Sequence, residues 1–210
     1  MNRKGISFFI PIAIGIHFSF FILPFAGHSQ LVDSLSLDTM QGCASMKEAL
    51  ALPPDQVIKL VLSKKKLKEF PEEIRKFTNL QYLDLSKNSI KEVPQWIGEL
   101  KSLQEIILSR TKIETLPSEF GSLTHLKYFI MNRSALQSLP TQIGYLTELE
   151  SMDLWDDNLS SFPPELKKLK DNLKILDLRD VLVPDQVQAA LKSYLPNTTI
   201  YFSPTCPCEK

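Results

Sequence analysis

A 23-residue period runs through most of this 210-residue chain and constrains its fold more than any other feature. Five prolines keep this spacing, at Pro71, Pro94, Pro117, Pro140 and Pro163. Three glycines keep the same spacing, at Gly98, Gly121 and Gly144. Two residue types that share one period indicate a repeated structural unit. A period of about 20–29 residues with leucines at fixed offsets predicts a solenoid.

The apolar residues of each unit also follow a fixed pattern. Residues 80–100 read L-x-x-L-x-L-x-x-N-x-I-x-x-V-P-x-x-I-G-x-L. Six such units begin at Val57, Leu80, Leu103, Leu126, Leu149 and Leu173. The alternation within L-x-x-L-x-L is that of a short strand with one buried face. We therefore predict that Leu83 and Leu85 point inward, while Tyr82 and Asp84 point outward.

These units resemble the leucine-rich repeat family, in its 23-residue form with L-P-x-x-I-G-x-L. The resemblance covers residues 57–202 and recurs in each unit. It implies an α/β fold, a right-handed solenoid with a curved parallel β-sheet on the concave side and short helical or 3₁₀ segments on the convex side. It also implies a non-enzymatic role in binding other proteins. The family's asparagine is kept at Asn88, and the equivalent residues are Lys65, Thr111, Ser134, Asp157 and Val181.

The beginning of the chain has the composition of an export signal. Arg3 and Lys4 precede an almost wholly apolar stretch at residues 6–25, and the small residues Gly27 and Ser29 follow it, before Gln30. This pattern predicts a signal peptide at residues 1–29 that is cleaved on export. An uncleaved membrane anchor is the alternative, since about 20 apolar residues can span a bilayer. Both interpretations predict a secreted, periplasmic or cell-surface protein.

The rest of the chain is predicted to divide into three parts. Residues 30–56 form an N-terminal region with a capping helix. The helix is predicted because Ser45 and Glu48 have the spacing of a capping box. Residues 30–42 of this region show no strong pattern. The apolar face of this helix is predicted to consist of Met46, Ala49, Leu50 and Leu52. Residues 57–197 hold the six repeats. Residues 198–210 form a capping strand and a cysteine-containing tail.

Outward-pointing side chains of the predicted strands stack into columns, because neighbouring strands lie about 4.8 Å apart. Apolar and aromatic residues cluster in the middle of these columns, and exposed groups of this kind often mark interfaces. We predict a protein-binding surface formed by Tyr82, Asp84, Glu105, Ile107, Arg110, Tyr128, Ile130, Arg133, Asp153 and Trp155. The alternative is a structural or envelope-associated scaffold whose sheet has no dedicated ligand.

A further column changes sign along the solenoid. Its residues are Lys64, Lys87, Arg110, Arg133, Asp156 and Asp180. We interpret this column as a solvated rim of the sheet. The alternative is a stripe that binds an acidic partner or an anionic glycan.

Composition and motifs argue against several other functions. The 24 basic and 24 acidic residues give no net charge, whereas a dedicated nucleic-acid binder is usually strongly basic. No catalytic or phosphate-binding motif is present, and we predict no enzyme activity, cofactor or metal. His125 is interpreted as solvent-facing. The pairing of Cys43, Cys206 and Cys208 is left open.

Overall fold

The computed structural model of the protein describes residues 31–203. Within this range the strands form one parallel sheet in sequence order. They are β1 Lys59–Val61, β2 Tyr82–Asp84, β3 Glu105–Ile107, β4 Tyr128–Ile130, β5 Ser151–Asp153, β6 Ile175–Leu178 and β7 Thr199–Phe202. The predicted signal peptide at residues 1–29, Cys206 and Cys208 lie outside the described residues.

Short 3₁₀ segments return the chain from one strand to the next. They lie at Glu72–Lys76, Gln95–Glu99, Ser118–Ser122, Thr141–Tyr145 and Pro164–Leu169. Each is directly preceded by one of the regularly spaced prolines, with φ between −64° and −70°. Because proline fixes φ in this range and lacks an N–H, it suits the corner where the chain turns into the 3₁₀ segment. The predicted solenoid, with a concave parallel sheet and a convex 3₁₀ side, is confirmed.

A continuous apolar core fills the space between the sheet and the 3₁₀ segments. The central strand residues that point into it are all buried: Leu60, Leu83, Ile106, Phe129, Met152 and Leu176. Burial of one such side chain stabilises the fold by about 1.5–3 kcal/mol. The register pairs Leu83 with Ile106 and Ile106 with Phe129, so each coil covers the core of its neighbour.

The glycine period has a packing cause. A Cβ atom at Gly121 would lie 2.4 Å from the backbone oxygen of Gln142 in the next coil. At Gly98 and Gly144 the corresponding distances, to the oxygens of Glu119 and Glu165, would be 2.7 and 2.6 Å. None of these three glycines has a positive φ. Glycine is required there because the 3₁₀ segments of adjacent coils approach each other too closely for a side chain.

Gly121→Ala should therefore lower the free energy of unfolding by about 1–3 kcal/mol, the usual cost of overpacking. Denaturant unfolding would measure the change. Ser122→Ala, at the next position of the same segment, is the control and should change stability by less than about 0.5 kcal/mol. Equal midpoints for the two variants would contradict this packing argument.

Asn88 connects two neighbouring coils through their backbones. Its Oδ1 atom accepts hydrogen bonds from the backbone N–H groups of Lys65 and Leu67, both at 3.0 Å. Its Nδ2 atom donates to the carbonyl oxygens of Leu62 and Leu85, at 2.9 and 2.8 Å. One amide thus satisfies two donors and two acceptors that the turn leaves without strand partners.

Asp157 occupies the equivalent position three coils later but supplies only acceptors. Its Oδ1 atom accepts a hydrogen bond from the N–H of Ser134 at 2.8 Å. Its Oδ2 atom is buried and has no hydrogen-bond partner among residues 31–203. Burial raises the pKa of this carboxyl group to about 7. A protonated Oδ2 would restore the donor that asparagine supplies at this position.

Three α-helices, α1 Ser34–Thr39, α2 Met46–Leu50 and α3 Asp185–Tyr194, lie at the ends of the described chain. In α2 the hydroxyl of Ser45 accepts a hydrogen bond from the N–H of Glu48 at 3.2 Å. The predicted apolar face of this helix is wrong in part, because Leu50 and Leu52 are 50% and 41% exposed. With five residues α2 makes little more than one turn.

Beyond the first and last coils, short elements extend the sheet and cover the core. Cys43 forms a single parallel bridge with Leu60 on the outer side of β1. At the other end β7 pairs with β6, and Leu191 and Leu195 of the α3 region are buried. Both ends of the apolar core are therefore shielded.

Candidate partner-binding surface

The outward side chains of the strands form the two columns that the sequence predicted. The strand pairing aligns Tyr82, Glu105 and Tyr128 in one column. The other column aligns Asp84, Ile107, Ile130 and Asp153. Seven of the ten predicted site residues thus lie on the strands. The others, Arg110, Arg133 and Trp155, follow the ends of β3, β4 and β5.

Residues 31–40, here called the N-terminal segment, lie against the amino-terminal ends of β1 to β3. The N–H of Val32 donates to Oε1 of Gln81 at 2.8 Å, and Nε2 of Gln104 donates to the carbonyl oxygen of Val32 at 2.7 Å. Nζ of Lys59 donates to the carbonyl oxygens of Leu37 and Asp38, both at 2.9 Å. Residues 30–42 show no strong sequence pattern, but the segment covers one end of the concave face.

The N-terminal segment changes the surroundings of two predicted site residues. Burial, together with the nearby charges of Asp38 and Asp84, raises the pKa of Glu105 to about 7, although Lys59 acts in the opposite direction. Burial also raises the pKa of Tyr82 to about 12. Nζ of Lys59 lies 4.4 Å from the centroid of the Tyr82 ring. These two residues are therefore less accessible to a partner than their outward positions alone predict.

Apolar and aromatic side chains lie on the outward face in the middle of the sheet. Ile107, Tyr128, Ile130 and Trp155 are all partly exposed there. We call these four residues together with Arg133 the open surface. Its members come from three successive coils, and the strand pairing places Ile107 beside Ile130. The sequence prediction of a mid-sheet apolar cluster corresponds to this arrangement.

Trp155 is held in one orientation by its neighbours. The guanidinium of Arg133 lies 4.1 Å from the centroid of the indole ring, a distance at which a cation is attracted to an aromatic face. The indole Nε1 donates a hydrogen bond to Oδ2 of Asp180 at 2.7 Å. Because the ring is already ordered, a partner that contacts it loses less conformational entropy on binding.

The outward aspartates have a structural role that the sequence analysis missed. The carboxylate of Asp84 accepts a hydrogen bond from the N–H of Ser86 at 2.8 Å. Asp153 accepts one from the N–H of Trp155 at 3.1 Å. Local bonds of this kind are typical of aspartate in turns. The repeated spacing of two residues between carboxylate and N–H could have indicated this role.

The column that changes sign lies in a turn directly after the strands. All six of its residues have φ between 52° and 58°, in the left-handed region. This region favours glycine and accepts asparagine or aspartate, and of the six column residues Asp156 and Asp180 are of these types. Their side chains are all exposed, which agrees with the interpretation as a solvated rim. Arg110 lies in this rim, and Arg133 also contacts Trp155.

Comparison with known proteins identifies the family to which this chain is similar. A family model described as a leucine-rich repeat region matches residues 56–198. The chain belongs to the leucine-rich repeat family. Leucine-rich repeat solenoids commonly use their extended concave surfaces to bind other proteins. Among curated proteins, none matches this leucine-rich repeat chain.

Solved structures of leucine-rich repeat proteins share its fold. A leucine-rich repeat protein of Leptospira interrogans is 27% identical, with a TM-score of 0.58, and the match covers 78% of this chain and 46% of that one. An internalin (inlF) of Listeria monocytogenes is 21% identical, with a TM-score of 0.63 and coverages of 76% and 44%. The plant peptide hormone receptor RGFR1, in complex with RGF2, is 28% identical, with a TM-score of 0.57 and coverages of 70% and 24%. This chain spans less than half the length of each.

Four features of the described part of this leucine-rich repeat protein bear on metal binding, ionisable pairs, disulfide formation and membrane insertion. Between residues 31 and 203, no group of three or more His, Cys, Asp or Glu side chains could hold a metal ion. Nδ1 of His125 lies 2.9 Å from Oε1 of Glu148, and both side chains are partly exposed. Cys43 is not part of a disulfide. No helix in this range has the length and apolar character needed to cross a bilayer.

Proposed function

We propose that this protein is exported and recognises another protein through the open surface of its concave sheet. The observation that carries the proposal is the ordered, partly exposed Trp155, held by Arg133 and Asp180 next to apolar residues of β3 and β4. Tryptophan, tyrosine and arginine are the residues on which binding free energy most often depends. Isoleucine side chains at the centre with charged groups around them have the organisation of an interface.

Two further observations support an exported binding protein. Residues 1–29 have a basic start, an apolar stretch and small residues at their end, as in signal peptides. The similar plant receptor RGFR1 was solved in complex with RGF2. We infer that the partner is a protein or peptide that presents an apolar patch to Ile107, Ile130 and Trp155.

The experiment uses the chain's two tryptophans as a matched pair. Trp96 lies on the 3₁₀ side of the solenoid, where its ring packs edge-on against Phe70 at 6.0 Å. Trp155→Ala should reduce recovery of the partner by about tenfold or more, because hot-spot tryptophans contribute about 2 kcal/mol or more to binding. Trp96→Ala should leave this recovery unchanged.

The measurement is crosslinking on intact cells with a reagent that does not cross membranes, followed by quantification of the crosslinked proteins. Export predicts that the protein is recovered outside the cytosolic fraction, and recognition predicts a partner whose recovery depends on Trp155. The affinity of the recovered partner can then be measured with purified wild type and both variants. Equal affinities for all three proteins would refute the role of the open surface. Recovery of the protein only in the cytosolic fraction would refute export.

A further inference from the structure

The N-terminal segment is held by side chains of the solenoid that contact its main chain. Oε1 of Gln81 accepts the N–H of Val32, and Nε2 of Gln104 donates to the carbonyl oxygen of the same residue. Nε2 of Gln104 also donates to Oε1 of Gln81 at 2.9 Å. Both glutamine side chains are buried. Together they bind the backbone donor and acceptor of one residue, Val32, as a neighbouring parallel strand would do.

The other end of the N-terminal segment is bound through a helix terminus and one apolar side chain. Lys59 donates to two carbonyl oxygens at the end of α1, where a cation is favourable for a helix. Leu37 is only 2% exposed, although it is not part of the continuous core of the solenoid. The segment therefore combines an extended residue, a short helix and one buried leucine, and its hydrogen bonds hold it at the amino-terminal ends of β1 to β3.

These contacts differ from those of a capping element. The first coil is already covered by Cys43, which pairs with Leu60, and by α2, whose Ala49 belongs to the core. The hydrogen bonds from Val32, Leu37 and Asp38 to the solenoid all involve its side chains. Because these side chains bind backbone atoms, which every peptide has, the surface can accept peptides of different sequence.

The contacts of the N-terminal segment are not fully complementary, so another peptide could bind this surface more tightly. Asp38 lies close enough to Glu105 for its charge to act on that carboxyl group, and Asp84 acts on it in the same direction. Because like charges repel each other, these carboxylates weaken the contact between the N-terminal segment and the sheet. In addition, Oε1 of Gln104 is buried with no hydrogen-bond partner among the described residues. A peptide without an acidic group at the Asp38 position, or with one more donor near Gln104, would bind more tightly.

We infer that the surface formed by Lys59, Gln81 and Gln104 is a peptide-binding site, which the protein fills with its own residues 31–40 and which a peptide from another chain occupies when that segment is displaced. Its ligand is a short peptide with an extended residue whose backbone N–H and C=O are both free, a helical turn that ends in free carbonyl groups, and a leucine on the buried side of that turn. The site does not include Trp155, so this inference is independent of the proposed function.

The test measures binding of a fluorescent peptide with the sequence of residues 31–40 to the full chain. Leu37→Asp in the protein removes the buried leucine and should release its own segment. The labelled peptide should then bind this variant more than about tenfold more tightly than wild type, because a site that is mostly closed has a lower apparent affinity. Leu35→Asp is the matched control, since Leu35 is 75% exposed in the same helix. It should behave like wild type.

Further variants separate the site from general effects on folding. If thermal melting shows that Leu37→Asp unfolds the solenoid, Val32→Pro takes its place, because proline removes the N–H that Gln81 accepts. Adding Gln104→Ala to the released variant should weaken peptide binding by about tenfold or more, the loss expected when a buried hydrogen-bond partner is removed. A labelled peptide that binds the Leu37→Asp and Leu35→Asp variants with equal affinity would overturn the inference. So would a folded, released variant that does not bind it.

Discussion

Replacing Asp157 with asparagine should stabilise the protein by up to about 4 kcal/mol at pH 8. Asp157 is 5% exposed, and the pKa of its carboxyl group is raised to about 7 from an ordinary value of 3.8. A difference of this size corresponds to about 1.4 kcal/mol for each pH unit. Asparagine would keep the acceptor that the N–H of Ser134 uses and would supply donors that need no proton. The bonds of Asn88 show that this position can satisfy such an amide completely.

The same substitution should change how stability depends on pH. Between pH 4 and pH 7 the folded protein retains a proton on Asp157 that the unfolded chain has lost. The stability of the wild type therefore falls as pH rises through this window and levels off above it. In Asp157→Asn that contribution is absent. A smaller fall in the same direction should remain, since the pKa of Glu105 is also raised to about 7.

Denaturant unfolding at pH 4 and pH 8 would measure this effect. The difference between Asp157→Asn and wild type should be small at pH 4 and large at pH 8. Asp156→Asn is the control, because the neighbouring Asp156 is exposed and the effect of its replacement should be the same at both pH values. A stabilisation of Asp157→Asn that is the same at both pH values would show that Asp157 does not bind the proton.

Phe129→Ala should lower the free energy of unfolding by about 3–5 kcal/mol, as expected when a buried phenylalanine is truncated. Phe129 is the inward residue of β4, the middle strand of the sheet, and is fully buried. Its ring packs against that of Phe120, with 5.0 Å between their centroids. The truncation would leave a cavity between β4 and the 3₁₀ segment of the preceding coil, which contains Phe120.

The adjacent residue of β4 provides the control for this prediction. Ile130 points to the opposite face of the sheet and is partly exposed, so Ile130→Ala should cost about 1 kcal/mol, the average for point substitutions. Ile130→Ala should instead weaken partner binding, because this residue belongs to the open surface. Similar losses of stability in the two variants, measured by denaturant unfolding, would contradict the assigned directions of the side chains.

The Phe129 variant should also unfold less cooperatively. The stability of a solenoid is approximately a sum of contributions from single coils and from the contacts between neighbours. A weakened middle coil reduces the coupling between the two ends. We therefore expect the unfolding transition of Phe129→Ala to broaden, with a lower dependence on denaturant concentration than in wild type.

The repeating part of the fold could be predicted because its causes are local and recur. The leucine pattern predicted the strands and their register, as the pairing of Leu83 with Ile106 confirms. The prolines marked the corners before the 3₁₀ segments. The glycine period was also visible, but its cause was not, since the approach of Gly121 to Gln142 depends on how adjacent coils stack.

The surface was harder to predict because its contacts join distant parts of the chain. Val32 is bound by Gln81 and Gln104, which are 49 and 72 residues away. Neither glutamine differs in sequence from an ordinary solvent-facing residue. The columns correctly predicted which residues share the concave face. They could not predict that the N-terminal segment covers the part near Tyr82 and Glu105.

The left-handed turn after the strands offers a way to increase the free energy of unfolding of this protein. Charged residues such as Lys64, Lys87 and Arg110 adopt there a backbone geometry that disfavours most side chains with a Cβ atom. Each costs roughly 1–2 kcal/mol that glycine would not. Several coils repeat this cost. Replacing these residues with glycine could therefore stabilise the protein without altering the apolar interior.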